Sequence, residues 1–188
     1  MRKHLSLILV LAMAATFYAA IAVVTRTIDR SVEPSAPEAD ATGCSPVDGW
    51  RMQPRAAVSD SDFLEFHRGA CSGSCPVFTL RINGDGTLLW TGEKSVQKLG
   101  AAKAQISAGA AKSLIRQFRR EGFWSTCDSY RLRVPDLPSV TVIAEIGGHA
   151  KKVNDYGMAG PDWLLGLYSQ LDNLAVLQKW LQPGLTYD

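Results

Sequence analysis

Two cysteines separated by three small residues open the segment Cys71-Ser72-Gly73-Ser74-Cys75-Pro76-Val77-Phe78, and no other residues in the sequence are better suited to chemistry. Three chemistries use such a pair. A disulfide between Cys71 and Cys75 would close a tight loop. With four Cys in the chain three complete pairings exist, and Cys127 is an alternative partner for either thiol. Thiol–disulfide exchange would set one thiolate beside a resolving thiol. The spacing is longer than the two-residue redox motif, and no helix starts behind it to lower a thiol pKa. Copper would take both thiolates together with an imidazole. His149, beside the Gly147-Gly148 turn, is the candidate for that third ligand, and His67 is the other available ring. A structural disulfide is the expectation; a thiol-redox or copper site on Cys71, Cys75 and His149 is the alternative.

Other chemistry finds less support. Ser72 and Ser74 lie in a small-residue loop without the G-x-S-x-G elbow of a nucleophile, so no catalytic residue is assigned. Asn83-Gly84-Asp85-Gly86 reads as a hairpin turn, because it lacks the later acidic ligand of a calcium loop. Gly84 and Gly86 lie between strands rather than before a helix, which excludes a phosphate-binding glycine motif. No cofactor is expected.

The elements that position these residues follow from periodicity. Phe63–Arg68 and Val77–Ile82 read as strands, the second with Phe78, Leu80 and Ile82 on one face. Thr87–Thr91 returns after the turn, and Ala104–Ile106 forms a short strand. Ser107 caps a helix carrying Ala111, Leu114, Ile115 and Phe118 at helical spacing, and Gly122 ends it. Lys112, Arg116, Arg119 and Arg120 form its polar face, with anionic lipid or polymer contact as the alternative to simple solvation. A second unit repeats the plan, with Val140–Ile146, a Gly147-Gly148 turn, Ala150–Asn154 and a helix opened by Gly160-Pro161. That helix carries Leu164, Leu167, Tyr168, Leu171 and Leu174. The expected fold class is α+β: an antiparallel sheet of hairpins with two main helices packed on one face, plus an N-terminal transmembrane or signal helix.

That last element is the run Leu5 to Val24, in which only Ser6 and Thr16 are not apolar. As a helix it would reach about 30 Å, enough to cross a hydrocarbon core. Arg2 and Lys3 precede it, which places the N-terminus in the cytoplasm. The competing reading is a cleaved signal with Ala20-Ile21-Ala22 as its small-residue site. Cys44 follows the run too distantly to be a lipidated cysteine. Residues 1–24 are therefore read as signal anchor or signal peptide, 25–59 as a flexible spacer rich in Ser, Pro and charge, and 60–188 as an exported domain. The chain has 188 residues and a formal charge of +2, which Arg2 and Lys3 alone supply. The remainder is neutral, which argues against nucleic acid as a partner. With 46% hydrophobic and 20% charged residues the chain is neither disordered nor fibrous.

The run Cys71-x-Gly73-x-Cys75-Pro76-x-Phe78, entering a strand that turns at Gly84-Asp85-Gly86, resembles a family of exported bacterial proteins catalogued only as a domain of unknown function. Gly122-Phe123-Trp124, Tyr130, Pro135-Asp136-Leu137-Pro138, Lys152-Val153-x-x-Tyr156 and the Pro161 helix with Trp180 fit the same resemblance, which covers about residues 60–182. It implies an envelope-located domain and lends no activity. The resulting expectation is a binding or structural module, single-pass in the inner membrane with its C-terminal domain periplasmic or extracellular, or secreted after cleavage. Its expected partners are an envelope protein or polymer, and the membrane through residues 5–24.

Overall fold

The computed structural model describes residues 39–44 and 54–184. Eight strands form one sheet: β1 (Ala39–Thr42), β2 (Phe63–Arg68), β3 (Val77–Asn83), β4 (Thr87–Lys94), β5 (Gly100–Gln105), β6 (Ser129–Leu132), β7 (Ser139–Ile146) and β8 (His149–Tyr156). Helices α1 (Ala108–Arg120) and α2 (Asp162–Leu177) follow β5 and β8. The strand order is β1-β6-β8-β7-β2-β3-β4-β5.

The purely antiparallel sheet expected from the hairpins is corrected to a mixed one. β6 pairs with β8 in parallel, Ser129 opposite Asn154 and Arg131 opposite Tyr156. The reason is the connection out of β6. It passes over one strand position to reach β7, and the tight β7–β8 hairpin then folds β8 back into the gap. Antiparallel to β7, β8 necessarily runs the same way as β6. β1, inside the segment read as spacer, extends the sheet by pairing antiparallel with β6, Ala39 opposite Leu132. Its four side chains are exposed or half-buried, so apolar burial gave no signal for it. The transmembrane or signal helix expected over residues 5–24 lies outside the described residues. Among those described, no helix is long and apolar enough to cross a membrane.

Alternation decides which face of the sheet is dry. Leu64, Phe66 and Arg68 of β2, Phe78, Leu80 and Ile82 of β3, and Val140, Val142, Ala144 and Ile146 of β7 all point inward. α1 buries Ala111, Ile115 and Phe118, and α2 buries Leu164, Leu167, Tyr168, Leu171 and Ala175, in the same cluster. Ser107 caps α1 by accepting from the Ala110 amide at 3.2 Å. Trp180, past the end of α2, stacks on Trp90 at 5.4 Å between centroids, and Trp90 stacks on Phe78 at 4.5 Å. The Trp180 carbonyl accepts from the Gln97 and Lys98 amides, fixing the chain after α2 against the β4–β5 loop.

Two local devices set the turns at the other end. Gly84 packs against backbone: a Cβ there would meet the Ser59 carbonyl oxygen at 1.9 Å. Asp62, only 3% exposed, ties three loops together. Its carboxylate accepts from the Ser59 amide at 2.7 Å and the Gly147 amide at 2.9 Å, while its carbonyl accepts from Gly84 at 2.7 Å. Asp62→Ala removes the charged acceptor from the Ser59 and Gly147 amides and should lower unfolding free energy by roughly 1.5–3 kcal/mol. Urea denaturation measures this; a loss under about 0.5 kcal/mol, the range of ordinary surface substitutions, would show that water replaces the carboxylate.

Candidate functional site

The chemistry-bearing residues fall into two places. The first is the cysteine loop between β2 and β3. Cys71 and Cys75 are bonded to each other, and Cys127 is bonded to Cys44 rather than to either of them. Ser72, Gly73 and Ser74 are exposed at the tip of the short loop. The Ser72 amide donates to the Asp136 carbonyl at 3.3 Å, and Lys94 reaches the Gly73 carbonyl at 3.5 Å. The Cys44–Cys127 bond ties down the end of β1, where Asp128 also donates its amide to the Thr42 carbonyl. Asp40 pairs with Arg133 across this edge at 2.8 Å, and that guanidinium holds the exposed Asp40 carboxyl below its ordinary pKa.

The structure does not bring the copper candidates together. The Gly69 amide bonds the Ser139 carbonyl, which puts the cysteine loop at the start of β7. His149 pairs with Ile146 at the far end of the same strand. Seven residue steps of extended chain, about 24 Å, separate these two ends. His149 is exposed, and its carbonyl accepts from the Trp124 indole at 3.1 Å. His67 projects on the face of β2 away from the helices and meets the Thr79 hydroxyl at 3.1 Å. The basic face of α1 is partly engaged within the chain. Lys112 pairs with Asp60 at 2.7 Å, and Arg119 donates to the Ala56 carbonyl at 2.6 Å.

The second place begins three residues before Cys71. Arg68 occupies the last inward position of β2 and is 2% exposed. A guanidinium there needs a counter-charge, and α2 delivers one: Arg68 Nε donates to Asp172 Oδ1 at 3.2 Å, and Nη2 donates to Oδ2. Nη1 lies 3.7 Å from the Met158 sulfur, and the guanidinium carbon stands 5.1 Å over the Phe66 ring. Burial pushes the Asp172 carboxyl above its ordinary pKa, against the pull of Arg68. Asp155 of β8 is also buried, at 1% exposure. Its two oxygens accept from the Ala159 amide at 2.7 Å and the Gly160 amide at 3.2 Å. They thereby pin a loop that bends through left-handed Gly157 and Met158 (φ 78° and 57°) into α2. Desolvation raises the Asp155 pKa more than these donors lower it. The Tyr168 hydroxyl lies close enough for the two groups to shift one another, and burial above all raises its own pKa. Yet it makes no hydrogen bond of good geometry, and is a buried polar atom left without a partner.

A cleft of about 410 Å³ opens over this cluster. Met158, Leu165, Val176 and Leu181 supply apolar walls, Ser169, Asn173 and Gln182 the polar rim, and Arg68 with Asp172 the charged floor. The volume falls in the range of small-molecule sites. Residues 62–175 match the family model described as Domain of unknown function (DUF6438). The chain belongs to this family. No curated protein matches it.

The DUF6438 match shows the domain alone; neither export nor the Cys-Gly-Cys-Pro motif follows from it. It spans Arg68, Cys71, Cys75, Asp155, Tyr168 and Asp172, and leaves out β1, Cys44 and Trp180. Apolar periodicity does not mark the charged cluster. The signal was present: Arg68 and Asp155 continue the inward rows Leu64-Phe66 and Val153, where a charged side chain requires a buried partner.

Two expectations follow for the DUF6438 domain. Loop entropy in the unfolded chain makes the long crosslink, 83 residues apart, worth more than the short one, 4 apart. Cys44→Ser/Cys127→Ser should therefore cost about 4 kcal/mol and Cys71→Ser/Cys75→Ser about 2 kcal/mol in urea unfolding, the reverse order refuting the entropic account. Asp155 binds its proton more tightly folded than unfolded, so folding is favoured as pH falls from neutral toward its ordinary value of 3.8. Against Asp155→Asn, the wild type should gain relative stability across that window; a constant difference would show that burial does not raise this carboxyl.

Proposed function

We propose that the chain is an exported binding module of the cell envelope, brought there by its N-terminal apolar segment, with the cleft along α2 as its binding site. The observation that carries the export is the pairing of Cys44, Cys71, Cys75 and Cys127 into two disulfides. Such bonds persist outside the cytoplasm, where thiols are not kept reduced. The run Leu5–Val24 supplies the means of export as anchor or signal. Binding is supported by the cleft itself, whose apolar walls and few convergent polar groups are the usual composition of a ligand site. An envelope protein or polymer remains the partner class that the neutral exported portion suits.

Exposure of the cysteine loop favours a second reading, thiol exchange at Cys71 and Cys75 with a dithiol partner. The two readings separate by experiment. A reporter active only outside the cytoplasm, fused after Val24, should be active, and silence there would overturn export. Chain isolated without reductant should carry no free thiol, and glutathione at cytosolic poise should leave the Cys71–Cys75 pair oxidised. Ready, reversible reduction of that pair alone would replace the binding module with the exchange protein.

A further inference from the structure

The chemical class of the ligand follows from the charge balance of the buried cluster beneath the cleft and from which of its charges reaches the opening, a step that rests on the cleft being the binding site. The buried cluster holds two carboxylates, Asp155 and Asp172, against the single guanidinium of Arg68. Among the described residues no lysine or second arginine lines the cleft. The accessible charge is the carboxylate, because Asp172 keeps 15% of its side-chain surface exposed and Arg68 only 2%. An anion entering the cleft would therefore meet Asp172 before the guanidinium, whose fork already grips that carboxylate. An independent feature points the same way. The Tyr168 hydroxyl, on the cleft wall and buried, has no hydrogen-bond partner, and burial together with the Asp155 charge beside it keeps it protonated. Its oxygen can accept a hydrogen bond from an ammonium N–H. Met158, Leu165, Val176 and Leu181 supply the apolar walls, and among the described lining residues only Arg68 and Asp172 carry charge.

We infer that the cleft takes an organic cation, an ammonium group on a short apolar chain, with the ammonium on the Asp172 carboxylate and the chain between Met158, Leu165 and Val176. A partly desolvated carboxylate binds such a donor more strongly than an exposed one, since the site is drier than bulk water. The apolar chain adds the burial of its methylenes against these walls.

The test uses the full-length chain and three isosteric probes: n-pentylammonium, pentanoate and 1-pentanol. Backbone amide shifts of Ser169, Asn173 and Gln182 should move saturably with pentylammonium and stay still with pentanoate. Asp172→Asn should abolish the response. Because that variant also strips Arg68 of its buried partner, Ser169→Lys provides a second arm. It places a cation one turn before Asp172 on an exposed position and should weaken pentylammonium by about tenfold or more through competition for the carboxylate. Equal binding of pentanoate or pentanol, or a Ser169→Lys variant that binds as the wild type does, would overturn the cation inference and leave the cleft as a binding site. Failure of all three probes to shift these amides would overturn both.

Discussion

A guanidinium buried at the end of a core strand has to be neutralised where it stands, and much of this molecule's layout answers that demand. Arg68 sits in the inward row of β2, where the next positions on either neighbour are apolar. Removing such a charge from water costs several kcal/mol, and only a partner of good geometry offsets it. The partner comes from α2, 104 residues later in the chain, so the pair fixes the position of that helix on the sheet. Apolar packing would tolerate a helix sliding by a fraction of a turn. A two-pronged guanidinium–carboxylate contact does not, because both oxygens must meet the fork at once. Breaking either half would leave the other buried and unpaired, a cost of about 3–5 kcal/mol.

The same pair explains why the helix starts where it does. α2 can place Asp172 over Arg68 only if its first turn is anchored, and Pro161 offers no side-chain cap. Asp155 supplies the anchor from the adjacent strand by holding the Ala159 and Gly160 amides. Gly160 has no room for a side chain, since a Cβ would meet Asp155 Oδ2 at 2.7 Å. Loop, helix and strand end are thus one polar assembly set in an otherwise apolar core. The disulfides act elsewhere and differently. Cys44–Cys127 retains an edge strand that buries no side chain of its own, and Cys71–Cys75 shortens the loop leaving the Arg68 end of β2. Their contribution is to the unfolded chain's freedom, while the ion pair contributes to the folded state's register.

Most of the sheet was legible in the sequence because its rows are clean. Phe63–Arg68 and the hairpin around Asn83-Gly84-Asp85-Gly86 follow from alternation and turn chemistry, and Ser107 and Gly122 bracket α1 as capping rules require. β6 and β1 were not legible. Each is four residues long with no fully buried side chain, so nothing periodic marks them. The parallel β6–β8 pair was hidden for a related reason: hairpin signals describe neighbours in sequence, and this pairing joins strands with β7 between them. Cys71–Cys75 was readable as a pair, but Cys44–Cys127 depends on β1 reaching β6, which no local pattern states. The charged cluster needed one further rule, that an inward polar residue predicts its own partner.

That rule also bears on the proposed cation site. Had the cluster held one acid for its one base, Arg68 and Asp172 would satisfy each other, and the cleft above would be an imperfection of packing. The second acid changes the balance. Asp155 is committed by both oxygens to the loop before α2 and cannot move toward Arg68 without releasing two backbone amides. Asp172 is the more exposed carboxylate, in a cleft with apolar walls and an uncharged polar rim. A folded chain can relieve such an imbalance by protonating a carboxyl, and burial raises both pKa values in that direction. It can equally relieve it by admitting a positive ligand, and the open side of the cleft supplies the route. Proton and cation therefore compete for the same surplus charge, so occupancy of this site should rise with pH over the window in which Asp172 ionises.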